Sequence, residues 1–129
     1  MFQHFTLRHI PALLSGTTMA FGGLWPLWDA RGAMLEFGMP ANVADAPSSA
    51  PVMAVGTART SILGFIMLLF YYRQQFEIVD SILAVTGFWA GAVDCYIVWK
   101  LGNRRQAIFR LVSSWLLALT GYLGWTANY

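Results

Sequence analysis

Long stretches without charge constrain this chain more than any other feature of its sequence. Four mostly apolar stretches of about 20 residues follow one another, at about 10–28, 52–72, 78–99 and 111–126. Only 11% of the residues are charged, whereas soluble domains average roughly 25%. Because a helix needs about 20 apolar residues to cross a bilayer, the pattern predicts an all-α integral membrane four-helix bundle, a single domain over 1–129.

The longest connection, residues 29–51, separates the first two stretches. Its second half contains "ANVADAPSSAP", which is rich in Ala, Pro and Ser and is typical of a loop. Its first half, "DARGAMLEFG", predicts a short interfacial helix that ends at Gly38 and Pro40.

The basic residues predict how the chain lies in the membrane. Four spans place both termini on one side and the connections 29–51 and 100–110 on the other. The connections carry Arg31, Lys100, Arg104, Arg105 and Arg110, and the terminal side carries Arg8 and Arg73. The positive-inside rule therefore predicts cytoplasmic loops and places both termini outside the cell or in a lumen. We expect the membrane to be the endoplasmic reticulum or another endomembrane, with lumenal termini. Because apolar stretches flank the basic cluster, it is typical of a juxtamembrane loop and does not indicate nucleic-acid binding.

Small residues recur every four positions within the predicted spans. The sets are Thr18, Gly22 and Pro26; Gly56, Thr60 and Gly64; Gly87, Gly91 and Cys95; and Gly121 with Trp125. This spacing allows helix backbones to approach closely in lipid. It predicts a tight bundle, is compatible with a homodimer, and favours a packing role for the single cysteine.

Several polar residues fall on the terminal side. His4 and His9 precede the first span, and Asp80 lies near the start of the third, beside Glu77 and Arg73. We interpret the Asp80 group as interfacial charge.

Two opposite charges fall at similar depth within antiparallel spans. Arg59 lies about 10 Å inside the second span and Asp94 about 9 Å inside the third, measured from the loop side. An isolated charge at mid-membrane costs roughly 2.5–3.5 kcal/mol on insertion scales. We therefore predict an Arg59–Asp94 ion pair inside the bundle, either catalytic or structural.

Further polar and aromatic residues gather at the same end. Asp29, Arg31 and Glu36 lie just outside the first span, and Tyr96 lies near the surface in the third. Trp89 is deeper. We expect Tyr96, Trp89 and Arg31 to line a pocket beside the ion pair.

Four short motifs suggest a family. They are Pro26 after the first span, "FGMP" at 37–40, "GTAR" at 56–59, and Asp94 late in the third span. Together they resemble a fungal family of small four-helix membrane proteins related to the DoxX-like proteins, over Gly16 to the fourth span. The fourth span lacks a clear match to the polar residue that members often carry. The resemblance implies a setting in polyketide or terpenoid natural-product biosynthesis, and therefore an enzyme that acts on a lipophilic intermediate.

The motifs that the sequence lacks narrow the range of possible reactions. The sequence contains no His/Cys metal spacing, dinucleotide fingerprint or nucleophile–base pairing, so we expect no metal and no cofactor. Acid–base chemistry on a lipophilic substrate remains, most specifically epoxide opening, hydrolysis, cyclisation or isomerisation. Asp94 would be the base, Arg59 would orient it, and Glu36 or Asp29 would be the acid.

A non-catalytic function explains the same residues. In this alternative the chain is a membrane subunit or a lipophilic-ligand binder, and the Arg59–Asp94 pair is structural. A channel is less favoured, because four helices with one buried pair leave little room for a conducting path.

Overall fold

The computed structural model describes residues 5–128, and every regular element among them is a helix. The α-helices are α1 (Ile10–Gly22), α2 (Ala30–Phe37), α3 (Ala41–Ala44), α4 (Ser49–Tyr72), α5 (Phe76–Lys100), α6 (Arg104–Tyr122) and α7 (Trp125–Asn128). Short 3-10 helices cover Leu7–His9 and Trp25–Leu27. The all-helical prediction is confirmed for this range, and His4 lies outside it.

Within residues 5–128, two helices are long and apolar enough to cross a membrane. They are α4, with 24 residues, and α5, with 25. At about 1.5 Å per residue each is at least about 36 Å long, more than the ~30 Å hydrocarbon core of a bilayer. These helices contain the predicted second and third spans, and by length and composition alone each is a candidate membrane span.

The first and fourth predicted spans have different boundaries from those expected. α1 ends at Gly22 after 13 residues, and the chain continues into the 3-10 helix Trp25–Leu27. Pro26 explains the break, because a proline has no N–H to donate and disfavours the α conformation in the residue before it. The fourth predicted span begins seven residues inside α6 and continues past Gly124, whose positive φ of 73° separates α7.

The long helices pack as two antiparallel pairs, α1 with α4 and α5 with α6, and a short turn joins α4 to α5. One end of the molecule holds α2 and the α5–α6 turn, where Gln106 Nε2 donates to the Glu36 carbonyl over 2.9 Å. We call it the loop end. The opposite end, the terminal end, holds the first 3-10 helix, the α4–α5 turn and α7. The two long connections therefore meet at one end of the molecule, as expected.

Close contact between α1 and α4 depends on small residues. A Cβ placed on Gly64 would lie 2.6 Å from the Gly16 carbonyl oxygen, and Ser61 Oγ donates to the Ala20 carbonyl over 2.6 Å. Gly64 was correctly expected in this contact, but Gly56 was not, since it is exposed with no atom within 4 Å of its ideal Cβ.

The α5–α6 pair has the closest packing. A Cβ on Gly87 would lie 2.9 Å from the Ala118 side chain, and one on Gly91 would lie 2.6 Å from the Ser114 side chain. Gly121 of α6 approaches the α5 backbone at Asp80 in the same way. The predicted packing roles of Gly87, Gly91 and Gly121 are confirmed.

Helix α2, the predicted short helix, is docked on the rest of the fold. Asp29 caps its start by accepting from the Gly32 N–H over 3.0 Å, and Gly38 ends it with φ 114°, as predicted. Gly38 lies against Val98 and Gln106, so a Cβ there would come within 2.8 Å of both side chains. The C-terminal end of α2 therefore packs on the α5–α6 pair.

Candidate functional site

The ion pair at the loop end joins α5 to α6. Arg110 Nη2 lies 3.4 Å from Asp94 Oδ2, and both side chains are about three-quarters buried. Asp94 is six residues before the end of α5 and Arg110 is six residues after the start of α6. Because the two helices are antiparallel neighbours, equal distances from the turn bring the charges level.

The predicted Arg59–Asp94 pair is wrong. Arg59 is exposed, and Asp94 is bound by Arg110 instead. The face of α4 that packs on α1 carries Thr57 and Ser61, each two residues from Arg59. Two residues turn a helix by about 200°, so Arg59 lies on the opposite face from the α1 contact.

An aromatic ring completes the Asp94–Arg110 cluster. Arg110 Cζ lies 3.7 Å from the centre of the Phe37 ring, at the end of α2. Within the described chain, Arg110 Nε is buried and has no hydrogen-bond partner, and the guanidinium lies over the π face of Phe37. The cluster therefore brings together side chains from three helices, α2, α5 and α6.

The other predicted site residues at this end are not joined to the Asp94–Arg110 pair. Asp29 caps α2 and accepts from Trp25 Nε1 over 3.4 Å. Arg31 pairs with Asp45 over 2.6 Å on the surface. The Glu36 side chain is exposed, and only its backbone carbonyl is bound. Within residues 5–128, no hydrogen bond or ion pair joins any of these side chains to Asp94.

The pocket-lining candidates do not surround the ion pair either. Tyr96 is exposed, with Lys100 Nζ 4.9 Å from the centre of its ring. Trp89 lines a different feature, a groove of about 380 Å³ on the outer face of α5 and α6. The walls of this groove include Val85, Phe88, Trp89, Trp115, Leu119 and Tyr122.

Stacked rings give this aromatic groove its shape. Phe88 and Trp115 are stacked, with ring centres 5.2 Å apart and planes 16° apart, and Trp89 meets Phe88 edge-on at 5.7 Å. Trp115 Nε1 donates to the Phe88 carbonyl over 3.2 Å, which fixes the indole. The close approach at Gly91 allows this contact, because the ideal Cβ there would already lie 3.2 Å from Trp115 Cδ1. The groove has no charged residue in its walls.

A family model described as a domain of unknown function, DUF4267, matches residues 16–124. This chain belongs to the DUF4267 family. The DUF4267 match includes the Asp94–Arg110 cluster, Phe37 and the whole aromatic groove. No match was found among curated proteins or among solved structures.

A second polar cluster lies at the terminal end, partly outside the DUF4267 match. His9 is fully buried, with Nδ1 2.8 Å from the Tyr71 hydroxyl oxygen and its ring centre 4.7 Å from that of Phe76. Asp80 is 4% exposed and accepts from the backbone N–H groups of Thr126 and of residue 127, over 3.1 and 2.9 Å.

Sequence reasoning missed this terminal cluster. The interfacial interpretation of Asp80 is wrong, because the side chain is buried and bound to the start of α7. The sequence did contain a signal for this cluster. His9 precedes α1, Tyr71 lies at the end of α4 and Asp80 lies one turn into α5, so all three polar residues fall at the same end of the bundle.

Burial sets the protonation of His9, which lies outside the proposed spans. Removal from solvent lowers the pKa of His9, while its hydrogen bond to the Thr126 backbone and the nearby Asp80 carboxylate act in the opposite direction. Burial is the larger effect, so the neutral imidazole is favoured in the folded DUF4267 chain.

Across residues 5–128, no three His, Cys, Asp or Glu side chains are grouped so that they could hold a metal ion. The described residues offer three features with chemical potential: a partly buried ion pair, a buried histidine cluster and an apolar aromatic groove.

Proposed function

We propose that this DUF4267 chain is a non-catalytic membrane protein whose four long helices form a membrane-embedded bundle, and that it binds a lipophilic small molecule in the aromatic groove of α5 and α6. The observation that carries this proposal is the separation of the groove from the charged residues. Its walls are apolar and aromatic, whereas Asp94 is bound to Arg110 under α2.

The state of the charged residues supports binding over catalysis. Acid–base catalysis by paired carboxylates requires two groups of different proton affinity beside the reacting atoms. Asp94 is held by Arg110, and Asp29 caps α2. Glu36 is exposed and makes no side-chain contact with Asp94. These interactions favour the structural alternative, with Arg110 in place of Arg59.

The position of the groove suggests how a ligand would reach it. Phe88 lies twelve residues from each end of α5, or about 18 Å along the helix. In a membrane-spanning α5 this level is the middle of the bilayer, and the exposed Trp89 faces outward. A lipophilic molecule could therefore enter sideways from the acyl chains.

The shape of the groove favours a flat or unsaturated ligand. A volume of about 380 Å³ is within the range of small-molecule sites, and the stacked Phe88 and Trp115 rings offer a planar wall. Rings and conjugated chains stack on such a wall better than saturated acyl chains do. The natural-product setting implied by the resemblance to a fungal family related to the DoxX-like proteins is the reason for proposing a polyketide or terpenoid as the ligand.

The proposed orientation rests on the distribution of basic residues, and the proposed compartment is an endomembrane. With five basic residues at the loop end, the proposed topology puts residues 29–51 and 100–110 in the cytoplasm and both termini in the lumen of an endomembrane. The apolar outer faces leave room for a homodimer.

Photolabelling tests the groove. The purified chain, reconstituted in lipid nanodiscs, would be irradiated with a farnesyl diazirine probe and the labelled peptides identified by mass spectrometry. We expect labels on α5 and α6 near Phe88, and about tenfold less labelling there in Phe88→Ala, which removes one stacked ring. Phe65→Ala is the matched control, since Phe65 is equally exposed on α4 and pairs with Phe21. Uniform labelling of all helices, or no change in Phe88→Ala, would contradict the proposal.

Acid–base catalysis at Asp94 is the second candidate, and one observation favours it. The Asp94 side chain is 28% exposed beside a guanidinium, so a substrate could reach the carboxylate. Asp94 would take a proton from water or a substrate hydroxyl, whose oxygen would open a lipophilic epoxide. Arg110 would orient Asp94, and Glu36, next to Phe37 in the sequence, would protonate the departing epoxide oxygen. If Asp94→Asn accumulates normally but abolishes product in a reconstituted pathway, catalysis is favoured. If it fails to accumulate, the pair is structural.

A further inference from the structure

Three basic residues on the α5–α6 turn have no acidic partner. Lys100 ends α5, and Arg104 and Arg105 begin α6. All three are exposed, and within residues 5–128 none of them forms an ion pair. The turn thus presents three positive charges close together.

Two other cations at the loop end are paired. Arg31 pairs with Asp45, and Arg110 pairs with Asp94. The unpaired charge on the turn itself is therefore that of Lys100, Arg104 and Arg105.

Aromatic rings hold two of these cations at the end of a candidate span. Arg104 Cζ lies 4.9 Å from the centre of the Trp99 ring, and Lys100 Nζ lies 4.9 Å from the centre of the Tyr96 ring. Tryptophan and tyrosine at span ends lie at the level of lipid headgroups. Cations stacked on those rings are held at the same level, where lipid phosphates are.

The geometry of the turn leaves its surface uncovered and fixes the residue at which α6 begins. Gly102 has a φ of 96° and no atom within 4 Å of its ideal Cβ. Asn103 Oδ1 accepts from the Gln106 N–H over 3.2 Å, so α6 begins at a defined residue. Arg104 and Arg105 follow directly, and each guanidinium can bind a phosphate with two parallel hydrogen bonds.

We infer that the α5–α6 turn, through Lys100, Arg104 and Arg105, binds the phosphate of an anionic phospholipid headgroup. The inference depends on the membrane placement in the proposed function, but not on the aromatic groove or its ligand. A lipid headgroup explains why the Tyr96 and Trp99 rings lie beside the cations. The binding of a free anion would not require these rings.

Two charge-matched variants test this surface. Arg104→Gln/Arg105→Gln removes two charges from the turn, and Arg59→Gln/Arg73→Gln removes two exposed charges elsewhere. The full chain in detergent would be titrated with short-chain phosphatidylserine, phosphatidylcholine or inorganic phosphate, and the bound lipids counted by native mass spectrometry.

Each cation at a membrane surface contributes about fivefold to the binding of acidic lipid. We therefore expect phosphatidylserine binding to fall roughly 20-fold in Arg104→Gln/Arg105→Gln and less than threefold in Arg59→Gln/Arg73→Gln. Phosphatidylcholine binding should be equal in all three proteins, and inorganic phosphate at the lipid concentration should not compete. If the turn variant does not fold, Lys100→Gln makes the same test with an expected fivefold loss.

Several results would overturn the inference. Equal losses in both double variants would show an effect of net charge, and full competition by inorganic phosphate would show a free-anion site. Equal binding of both lipids by the wild-type chain would show no headgroup preference. Phe88→Ala should leave phosphatidylserine binding unchanged, so failure of the groove proposal and failure of this one are distinguishable.

Discussion

His9 Nδ1 lies 2.8 Å from the Tyr71 hydroxyl oxygen, and this contact joins the segment before α1 to the end of α4. Asp80 of α5 and the Thr126 backbone of α7 face the same imidazole. The terminal end of the molecule is therefore built around one buried histidine that three other elements surround.

Acidification should weaken this end of the fold. Burial lowers the pKa of His9 in the folded chain, so the unfolded chain binds a proton more readily. The stabilisation is fully present above the ordinary histidine pKa of about 6.5 and is lost as the pH falls below it, towards the folded value. We expect a lower thermal unfolding midpoint at pH 5.0 than at pH 7.5, and a smaller difference in His9→Gln. An equal difference in both proteins would assign the pH dependence to other groups.

The Asp94–Arg110 pair should contribute to stability, and Arg59 should not. Removing one partner leaves the other partly buried without its counter-charge, so we expect Asp94→Leu and Arg110→Leu each to lower the free energy of unfolding by about 1–3 kcal/mol. Arg59→Gln should change it by less than about 0.5 kcal/mol. Denaturant titration in detergent would measure all three. A loss in Arg59→Gln as large as in Asp94→Leu would restore the original pairing.

Two glycines of the same helix should respond in opposite directions to alanine. The ideal Cβ at Gly64 meets the backbone of α1 at Gly16 and Ala20, which cannot move aside easily. We expect Gly64→Ala to destabilise by about 1–3 kcal/mol. Gly56 has no atom within 4 Å of that position, so Gly56→Ala should stabilise the helix by up to about 1 kcal/mol. Gly64→Ala reports on helix packing and Gly56→Ala reports on helix propensity. Comparing the unfolding midpoints of the two variants therefore separates these effects.

Asp80→Asn should release α7. The carboxylate accepts from two backbone N–H groups, at Thr126 and Ala127, and an amide has only one oxygen to offer. We expect a loss of about 1–3 kcal/mol and faster amide hydrogen exchange in residues 125–128, with exchange at the Asp94–Arg110 cluster unchanged. Glu77→Gln, an exposed substitution one turn earlier, is the control. Uniformly faster exchange would show that Asp80 supports the whole fold rather than α7.

Local features of the sequence predicted the helices well. Hydropathy located α4 and α5, because a chain that enters lipid must satisfy its backbone hydrogen bonds within each segment. Gly38 marked the end of α2, because its positive φ suits a residue without a Cβ. The end of α1 was missed, although Pro26 was visible, because the apolar stretch continued beyond it.

The sequence by itself determined where the long helices α4 and α5 lie and how far along its helix each charge lies, since depth follows from residue order and a fixed rise per residue. It did not reveal α3, which lies in the stretch predicted to be a loop. Only the tertiary structure decided which of two cations binds Asp94, and that His9 and Asp80 are buried. The depth of a side chain along its helix can be counted from the sequence. Which residue that side chain contacts also depends on which helix packs against its face, and the sequence does not give that neighbour. α5 packs along α6 whereas α4 packs on α1, which puts Arg110 beside Asp94 and leaves Arg59 on the outside.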